Sequence, residues 1–215
     1  IVSITDNGTA NRDIYVESEQ EIGGLLESAG VDQVDYRTAI VNPLVRNEEI
    51  LYQLNGMSMY SSTNTEEMWN FVKNMGFENL ENRFQYAGST EVMDMLLGIR
   101  YLFCRNTRTL HTAYKKIAES QSFDLYENPR ALRSGYMVSD SVLDYAMEGT
   151  DPLEVQNRLL SGIVGKRLYK MQTVNSDTAL IGNTTFNIHL KKGEHGYLYI
   201  PGTEPDTVTI NGQEQ

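Results

Sequence analysis

The chain has 215 residues, of which 40% are hydrophobic and 22% charged, with a formal net charge of −11 at pH 7. This composition is typical of a globular protein and argues against intrinsic disorder. The acidic balance argues against nucleic-acid binding, which needs clustered Lys and Arg, and against adsorption to an anionic bilayer. A single cysteine, Cys104, leaves no disulfide framework and no cysteine metal cage.

The first 54 residues predict one helix and one strand. Ser18 and Glu21 have the spacing of a capping box, and Gly30 stands where the helix that they begin would end. Alternating apolar residues from Val34 to Ile40 predict a half-buried strand. The stretch from Glu48 to Leu54 fits either a short strand or a turn of helix.

Two further helices are predicted by N-cap residues followed by glycine stops. One begins at residues 64–65 and stops at Gly76, and the other begins at residues 89–90 and stops at Gly98. A strand of branched and aromatic residues, Ile99 to Arg105, follows the second helix. The main core is expected to contain Met93, Leu96, Leu97, Ile99, Tyr101 and Phe103.

The second half predicts a strand or hairpin over residues 112–126 and then a helix. Asp151-Pro152 is a strong helix start, and Gly165 closes that helix. From Lys166 onward, short alternating strands resemble the beginning of a β-sandwich. The sequence therefore predicts an α+β fold, with a mixed α/β domain at 1–165 and a β-rich segment at 166–215. Asn211-Gly212 signals a hairpin whose return strand would lie beyond the last residue.

Classical catalytic and metal-binding patterns are missing from the sequence. His111, His189 and His195 offer no third ligand and no catalytic partner, so neither a metal nor another cofactor is expected. Asp140 and Asp144 would share a helical face, but solvent exposure explains such a pair equally well. The sequons at Asn7 and Asn183 are short matches and carry no functional expectation.

Asp94 interrupts an otherwise apolar stretch, from Val92 to Leu97. The simpler interpretation is a solvent-facing position on an amphipathic helix. If Asp94 is instead buried, it needs a partner, because an isolated carboxylate is costly in a low-dielectric interior. Arg100 or a cluster of backbone amides would serve.

The polar stretch from Asn55 to Asn64 suggests sugar recognition, which combines hydrogen-bonding groups with an aromatic face. The candidates for a sugar-binding surface are Tyr60, Asn64, Trp69 and Tyr136. Asp94 and Arg100 are two further glycan-binding candidates. Burial in the core is the competing interpretation for each aromatic residue, and it is the stronger one for Trp69.

A family resemblance is visible in three sequence segments that follow one another in a fixed order: residues 54–63, 88–101 and 126–136. Over about residues 36–165 the chain resembles the extracytoplasmic domain of the YfhO family of bacterial multi-pass membrane proteins. The motif residues are Asn55, Gly56, Ser61, Ser62, Gly88, Ser89, Thr90, Asp94, Gly98, Asn128, Pro129, Gly135 and Tyr136. Most are turn, cap or core types, which implies that they specify the fold first and a binding surface second.

The resemblance implies a domain outside the cell, attached to a GT-C-like glycosyltransferase that decorates lipoteichoic acid or a similar wall polymer. The domain itself would be non-catalytic and would assist acceptor binding or support the membrane active site. Its expected partners are the transmembrane region of the same protein and the wall glycopolymer. The alternatives are a free-standing carbohydrate-binding module, which needs a groove lined by exposed aromatics, and a structural or partner-binding domain, which needs an exposed apolar patch.

Overall fold

The computed structural model describes residues 12–80, 83–105, 114–145, 149–171, 190–194, 196–199, 209–210 and 213–214. The helices within these ranges are α1 (Arg12–Ser28), α2 (Glu48–Leu51), α3 (Glu66–Asn74), α4 (Glu91–Leu96), α5 (Pro152–Val164) and a 3₁₀ helix (Asp140–Asp144). The strands are β1 (Arg37–Val41), β2 (Met59–Tyr60), β3 (Asn79–Leu80), β4 (Arg83–Phe84), β5 (Ile99–Arg105), β6 (Lys115–Glu119), β7 (Phe123–Glu127), β8 (Thr209–Ile210) and β9 (Gln213–Glu214).

The main sheet is four-stranded and mixed, in the order β1-β5-β7-β6. Strand β5 runs parallel to β1, with Ala39 opposite Leu102, and antiparallel to β7, with Phe103 opposite Leu125. The predicted strand at 99–105 and the predicted hairpin within 112–126 are confirmed. Helices and a mixed sheet together confirm the α+β class.

Two larger apolar clusters and one small cluster take the place of the single predicted core. In the first, α1 packs Ile22 and Leu25 against Ile40 and Phe103 of the main sheet. The second joins α3, α4 and α5 around Met93, and the third holds Ala39, Ile99 and Leu102. Of the predicted core residues, Tyr101 and Phe103 lie in the first cluster, Met93 and Leu96 in the second and Ile99 in the third. Ile99 is separated from Tyr101 and Phe103 by an irregularity in the pairing of β1 with β5, where Arg37 is opposite Ile99 but Thr38 is opposite Tyr101.

The predicted helix ends are largely confirmed, with one correction at α1. The side chains of Thr65 and Thr90 accept hydrogen bonds from the third residue of α3 and α4, both at 3.3 Å. The Asp151 carboxylate accepts hydrogen bonds from two backbone amides at the start of α5. Helix α1 begins at Arg12, however, and Ser18 lies buried inside it. The predicted capping box is therefore wrong, because sequence spacing does not reveal that a helix continues upstream of a potential cap.

The C-terminal hairpin is present in a short form. Thr209 pairs with Glu214 and Ile210 with Gln213, so the expectation that the return strand lies beyond the chain is wrong. Residues 196–199 form no strand, although short strands are predicted from Lys166 onward. Most other predicted strands of 166–215 fall outside the described residues, and the two-domain division stays a prediction.

The motif residues Asn55 and Gly56 hold the outer side of β1. The carbonyl of Asn55 accepts from the Thr38 amide at 2.9 Å, and Glu49 Oε1 accepts from the Ile40 amide at 3.0 Å. A Cβ on Gly56 would lie 2.1 Å from Glu49 Oε2, so glycine is required for the buried carboxylate to reach the strand.

A comparison of two motif glycines tests how the motif specifies the fold. Gly88 has a φ of +77°, and a Cβ there would lie 2.3 Å from the Gly76 carbonyl oxygen, whereas no atom lies within 4 Å of such a Cβ at Gly135. Gly88→Ala should lower the free energy of unfolding by about 2–4 kcal/mol, through left-handed strain and overpacking. Gly135→Ala should change it by less than about 0.5 kcal/mol. Urea denaturation measures the free energy of unfolding of both variants. Equal effects would contradict the conclusion that position 88 requires glycine and position 135 does not.

Candidate functional site

A shallow groove lies between the loop before α2 and the small sheet formed by β2, β3 and β4. Arg46 and Asn47 line it on the α2 side. Tyr60, Arg83 and Gln85 line it on the sheet side. The groove thus combines an aromatic ring, two guanidinium groups and two amides.

Asn47 fixes the position of Tyr60. Its side-chain oxygen accepts a hydrogen bond from the Tyr60 amide at 2.7 Å, and its side-chain nitrogen donates to the Tyr60 carbonyl at 3.0 Å. The backbone of Asn47 has a φ of 57°, a left-handed conformation that asparagine tolerates better than most residues. The side-chain amide of Asn47 therefore bonds the backbone of Tyr60 as a neighbouring strand would, and it holds β2 in position.

The aromatic ring of Tyr60 is partly covered by a cation. The Arg46 guanidinium carbon lies 4.5 Å from the ring centroid, and Tyr60 keeps 43% of its surface exposed. Arg46 is exposed and forms no ion pair within the part of the chain that the structure describes, whereas Arg83 pairs with Glu78 at 3.1 Å. Such a surface can stack on the apolar side of a sugar ring and donate hydrogen bonds to hydroxyl or phosphate oxygens.

Asp94 lies in the interior, so its interpretation as a solvent-facing residue is wrong. It is 3% exposed and accepts hydrogen bonds from the hydroxyls of Ser89 at 2.6 Å, Tyr86 at 2.8 Å and Tyr114 at 2.7 Å. Burial raises the pKa of Asp94, and the three hydroxyls only partly offset it. Neither Arg100 nor a set of backbone amides serves as its partner.

A second layer of polar side chains extends this cluster toward α5. Gln156 accepts hydrogen bonds from Tyr169 at 2.8 Å and from Thr90 at 2.9 Å, and its side-chain nitrogen donates to the Met75 carbonyl. The Tyr197 hydroxyl accepts from the amide that begins α4. Because these groups bond to one another, the cluster ties α4 to α5 and to later segments rather than presenting free groups to a ligand.

Arg100 is engaged elsewhere, at the start of β5. Its Nε and Nη2 atoms donate to Glu127 Oε1 at 3.0 and 2.7 Å, and its guanidinium lies 4.5 Å from the Tyr36 ring centroid. The pair is only about three-quarters buried. Arg100 therefore stabilises the junction of β5 and β7 and does not line the groove.

The remaining glycan-binding candidates do not converge on the groove either. The Tyr136 hydroxyl donates to the Leu96 carbonyl at 3.0 Å, which anchors a ring that is 42% exposed. Asn64 has a buried side-chain nitrogen without an acceptor among the described residues. Trp69 is only partly buried, with the Lys73 ammonium 5.0 Å from its ring, so its interpretation as a core residue is wrong. Of the glycan-binding candidates predicted from the sequence, Tyr60 is the one that lines the groove.

The other motif residues occupy turns. The Asn55 side chain donates to the carbonyls of Gln33 and Tyr36 at 3.2 and 3.0 Å. Asn128 is buried, donates to the Ile99 carbonyl at 3.3 Å and accepts from the Arg130 amide at 3.0 Å. These contacts support the implication that the motif specifies the fold first.

Four further motif residues lie around the ends of short elements. Ser61 accepts from the Thr63 amide at 3.1 Å, and Gly98, which follows α4, accepts from the Arg37 amide at 2.7 Å. Ser62 and Pro129 are exposed. None of the four lies within the set of residues that line the groove.

Two buried glutamates and two arginines were not identified as important from the sequence. Glu48 and Glu49 are 2% and 1% exposed, although glutamate in a short surface helix is normally solvated. Arg46 and Arg83 enter the groove from segments 37 residues apart. No local pattern in the sequence signals either arrangement.

The described residues contain no group of three His, Cys, Asp or Glu side chains placed to hold a metal ion. His111, His189, His195 and both sequons lie outside the described residues. Asp140 and Asp144 lie at the two ends of the exposed 3₁₀ helix, and Cys104 is buried as expected of a structural thiol.

Comparison with known proteins identifies one family. Its model, described as bacterial membrane protein YfhO, matches residues 3–211, a longer range than the 36–165 over which the resemblance is visible in the sequence. No curated protein and no solved structure gives a significant match. Among the described residues, no helix has both the length and the apolar character needed to cross a bilayer. Because the match covers nearly the whole sequence, the chain belongs to the YfhO family of bacterial membrane proteins.

Proposed function

We propose that this chain is a non-catalytic extracytoplasmic domain of a GT-C-like membrane glycosyltransferase, and that it helps to hold a lipoteichoic-acid-type acceptor polymer near the membrane active site. The observation that carries the proposal is the groove at Tyr60, where an exposed ring lies beside Arg46, a cation that forms no ion pair with any described residue. Family membership supports the membrane context.

A non-catalytic role is supported by the state of the buried carboxylates. A general base must reach the acceptor hydroxyl, directly or through one water. Glu48, Glu49 and Asp94 are each at least 97% buried and bonded to protein donors, so they are unavailable to a polymer. These three carboxylates are therefore not expected to supply the base of the proposed reaction.

The chemistry of the groove fits a polymer that carries both sugars and phosphodiesters. The Tyr60 ring can pack against the apolar side of a sugar, and guanidinium groups bind phosphate oxygens in a fork geometry. A polyanion would be repelled by most of a chain with a net charge of −11. Binding is therefore expected at Arg46, which forms no ion pair with a described residue, whereas Arg83 is paired with Glu78.

Binding of purified lipoteichoic acid by calorimetry tests this proposal. Tyr60→Ala and Arg46→Ala should each weaken binding about tenfold, since stacking and a charge-assisted contact contribute roughly 1–2 kcal/mol each. Lys73→Ala is the matched control, because it also removes a cation that lies over an aromatic ring but leaves the groove intact. Unchanged affinity in both groove variants, or equal loss in the control, would refute the groove as the acceptor site.

A partner-binding role is the second candidate, and exposed apolar side chains favour it. Leu143 is 84% exposed on the 3₁₀ helix beside the end of α5, and Met137, which precedes that helix, is 97% exposed. A free-standing carbohydrate-binding module has less support, because Tyr60 is the one exposed aromatic residue lining the described groove.

A further inference from the structure

The segment that follows α5 differs in charge from the rest of the chain. Residues 164–171 contain three basic residues and no acidic residue, within a chain of net charge −11. Apolar side chains alternate with these cations and are exposed: Val164 by 50%, Leu168 by 44% and Met171 by 37%.

The segment is held in place against α5. The Asn157 side-chain oxygen accepts from the amides of Leu168 at 3.1 Å and Tyr169 at 2.8 Å, and its nitrogen donates to the Tyr169 carbonyl at 3.0 Å. Arg167 forms a two-pronged pair with Glu154. The arrangement of exposed groups is therefore preformed.

Lys166 and Lys170 remain available to an external partner. Both are exposed, and neither forms an ion pair with any described residue. Arg167 is neutralised locally by Glu154, so these two ammonium groups supply the free positive charge of the segment.

The 3₁₀ helix adds apolar surface beside the same end of α5. Ser141 Oγ donates to the Gly162 carbonyl at 2.9 Å, two residues before Val164. On this 3₁₀ helix Leu143 is 84% exposed, with the exposed carboxylates Asp140 and Asp144 at the two ends of the helix. Leu143 thus adds one apolar side chain near the same end of α5.

We propose that this helix-end surface contacts the anionic headgroup layer of a lipid bilayer. We define the surface as Leu143, Val164, Lys166, Leu168, Lys170 and Met171. Exposed apolar side chains enter the headgroup and acyl boundary, while lysines bind anionic headgroups, the combination used by interfacial segments.

The net charge of the whole chain does not prevent this contact. Charges act over a Debye length of about 8–10 Å at physiological ionic strength, so the groups nearest the bilayer dominate. Within residues 164–171, Lys166 and Lys170 are the charges that form no ion pair with a described residue. The exposed carboxylates Asp140 and Asp144 lie at the ends of the neighbouring 3₁₀ helix, so the headgroup contact is expected to be centred on the basic segment.

Vesicle flotation of the full chain tests the inference. We expect binding to vesicles with 30% phosphatidylglycerol in phosphatidylcholine, and much weaker binding to phosphatidylcholine alone. Lys166→Gln with Lys170→Gln should lower the partition coefficient about 25-fold, at roughly fivefold for each lysine near the surface. Leu143→Ser with Leu168→Ser should lower it about tenfold or more, because the inserted apolar groups are lost.

Two matched control variants distinguish binding through this surface from nonspecific binding to vesicles. Lys73→Gln with Lys115→Gln removes two exposed cations elsewhere, and Leu44→Ser with Ile50→Ser removes two apolar side chains that are 54% and 55% exposed. Both controls should bind vesicles like the wild type. So should Arg46→Ala, which distinguishes failure of this inference from failure of the groove proposal.

Three results would overturn the inference. They are absence of binding to phosphatidylglycerol vesicles, equal binding to neutral vesicles, and equal losses in the control variants. The first would instead favour a protein partner for the exposed apolar side chains.

Discussion

Arg105→Met is expected to lower the free energy of unfolding by about 3–5 kcal/mol. Arg105 bonds to Glu48, whose side chain is 1% exposed, and methionine fills a similar volume without the charge. The remaining Glu48 carboxylate would keep bonds from Leu44 and Tyr52 but would have no counter-charge. An uncompensated buried charge is the reason for the large effect, and urea denaturation measures it.

Arg100→Met provides the matched control for this experiment. Arg100 is on the same strand and also pairs with a glutamate, but its partner Glu127 is 26% exposed. Water screens that pair, so its loss should cost about 1 kcal/mol or less. The double variant Glu48→Gln with Arg105→Met should recover much of the stability. A cost below about 1 kcal/mol for Arg105→Met would contradict the described ion pair.

Asp94→Ala is expected to lower the free energy of unfolding by about 3 kcal/mol, because the hydroxyls of Ser89, Tyr86 and Tyr114 lose their shared acceptor. Asp94→Asn keeps the shape and one acceptor oxygen, so its cost should be about 1 kcal/mol. Chemical denaturation at pH 7 compares the two. Similar values for alanine and asparagine would show that the hydroxyls do not depend on this side chain.

The burial of Asp94 is tested by how the free energies of unfolding of the wild type and of Asp94→Asn depend on pH. Burial raises its pKa in the folded state above the ordinary value near 3.9, so the native state holds the proton more tightly than the unfolded state. Stability of the wild type relative to Asp94→Asn should therefore fall as the pH rises from about 4 to the folded-state pKa, and then level off. An increase over that range would contradict a raised pKa.

Local signals in the sequence were sufficient to predict the positions of most helices and strands that the structure describes. Helix α5 is an example, because Asp151, Pro152 and Gly165 act within a few residues of its ends. The same holds for β5, whose branched and aromatic residues favour an extended chain wherever the sheet lies. The start of α1 was missed because Ser18 is a good cap by type and yet is buried in mid-helix.

The candidate site was much less predictable. Tyr60 was identified from its type and its polar neighbours. Arg83 joins it only through the pairing of β2 with β4, and Arg46 only through the bonds between Asn47 and Tyr60. Asp94 was ambiguous because its partners Tyr86 and Tyr114 come from two separate segments. Such arrangements depend on tertiary contacts, which a single sequence does not display.

The bonds from Asn55 and Glu49 to β1 have a consequence for how copies of this domain behave at high density. The backbone amides of Thr38 and Ile40, on the free edge of β1, already donate to these two groups. They are therefore not available to pair with a strand of another copy of the domain. At the opposite border of the sheet, β6 carries the charged residues Lys115, Lys116 and Glu119. Both borders are thereby protected from intermolecular sheet extension, so crowded copies are expected to stay separate rather than polymerise.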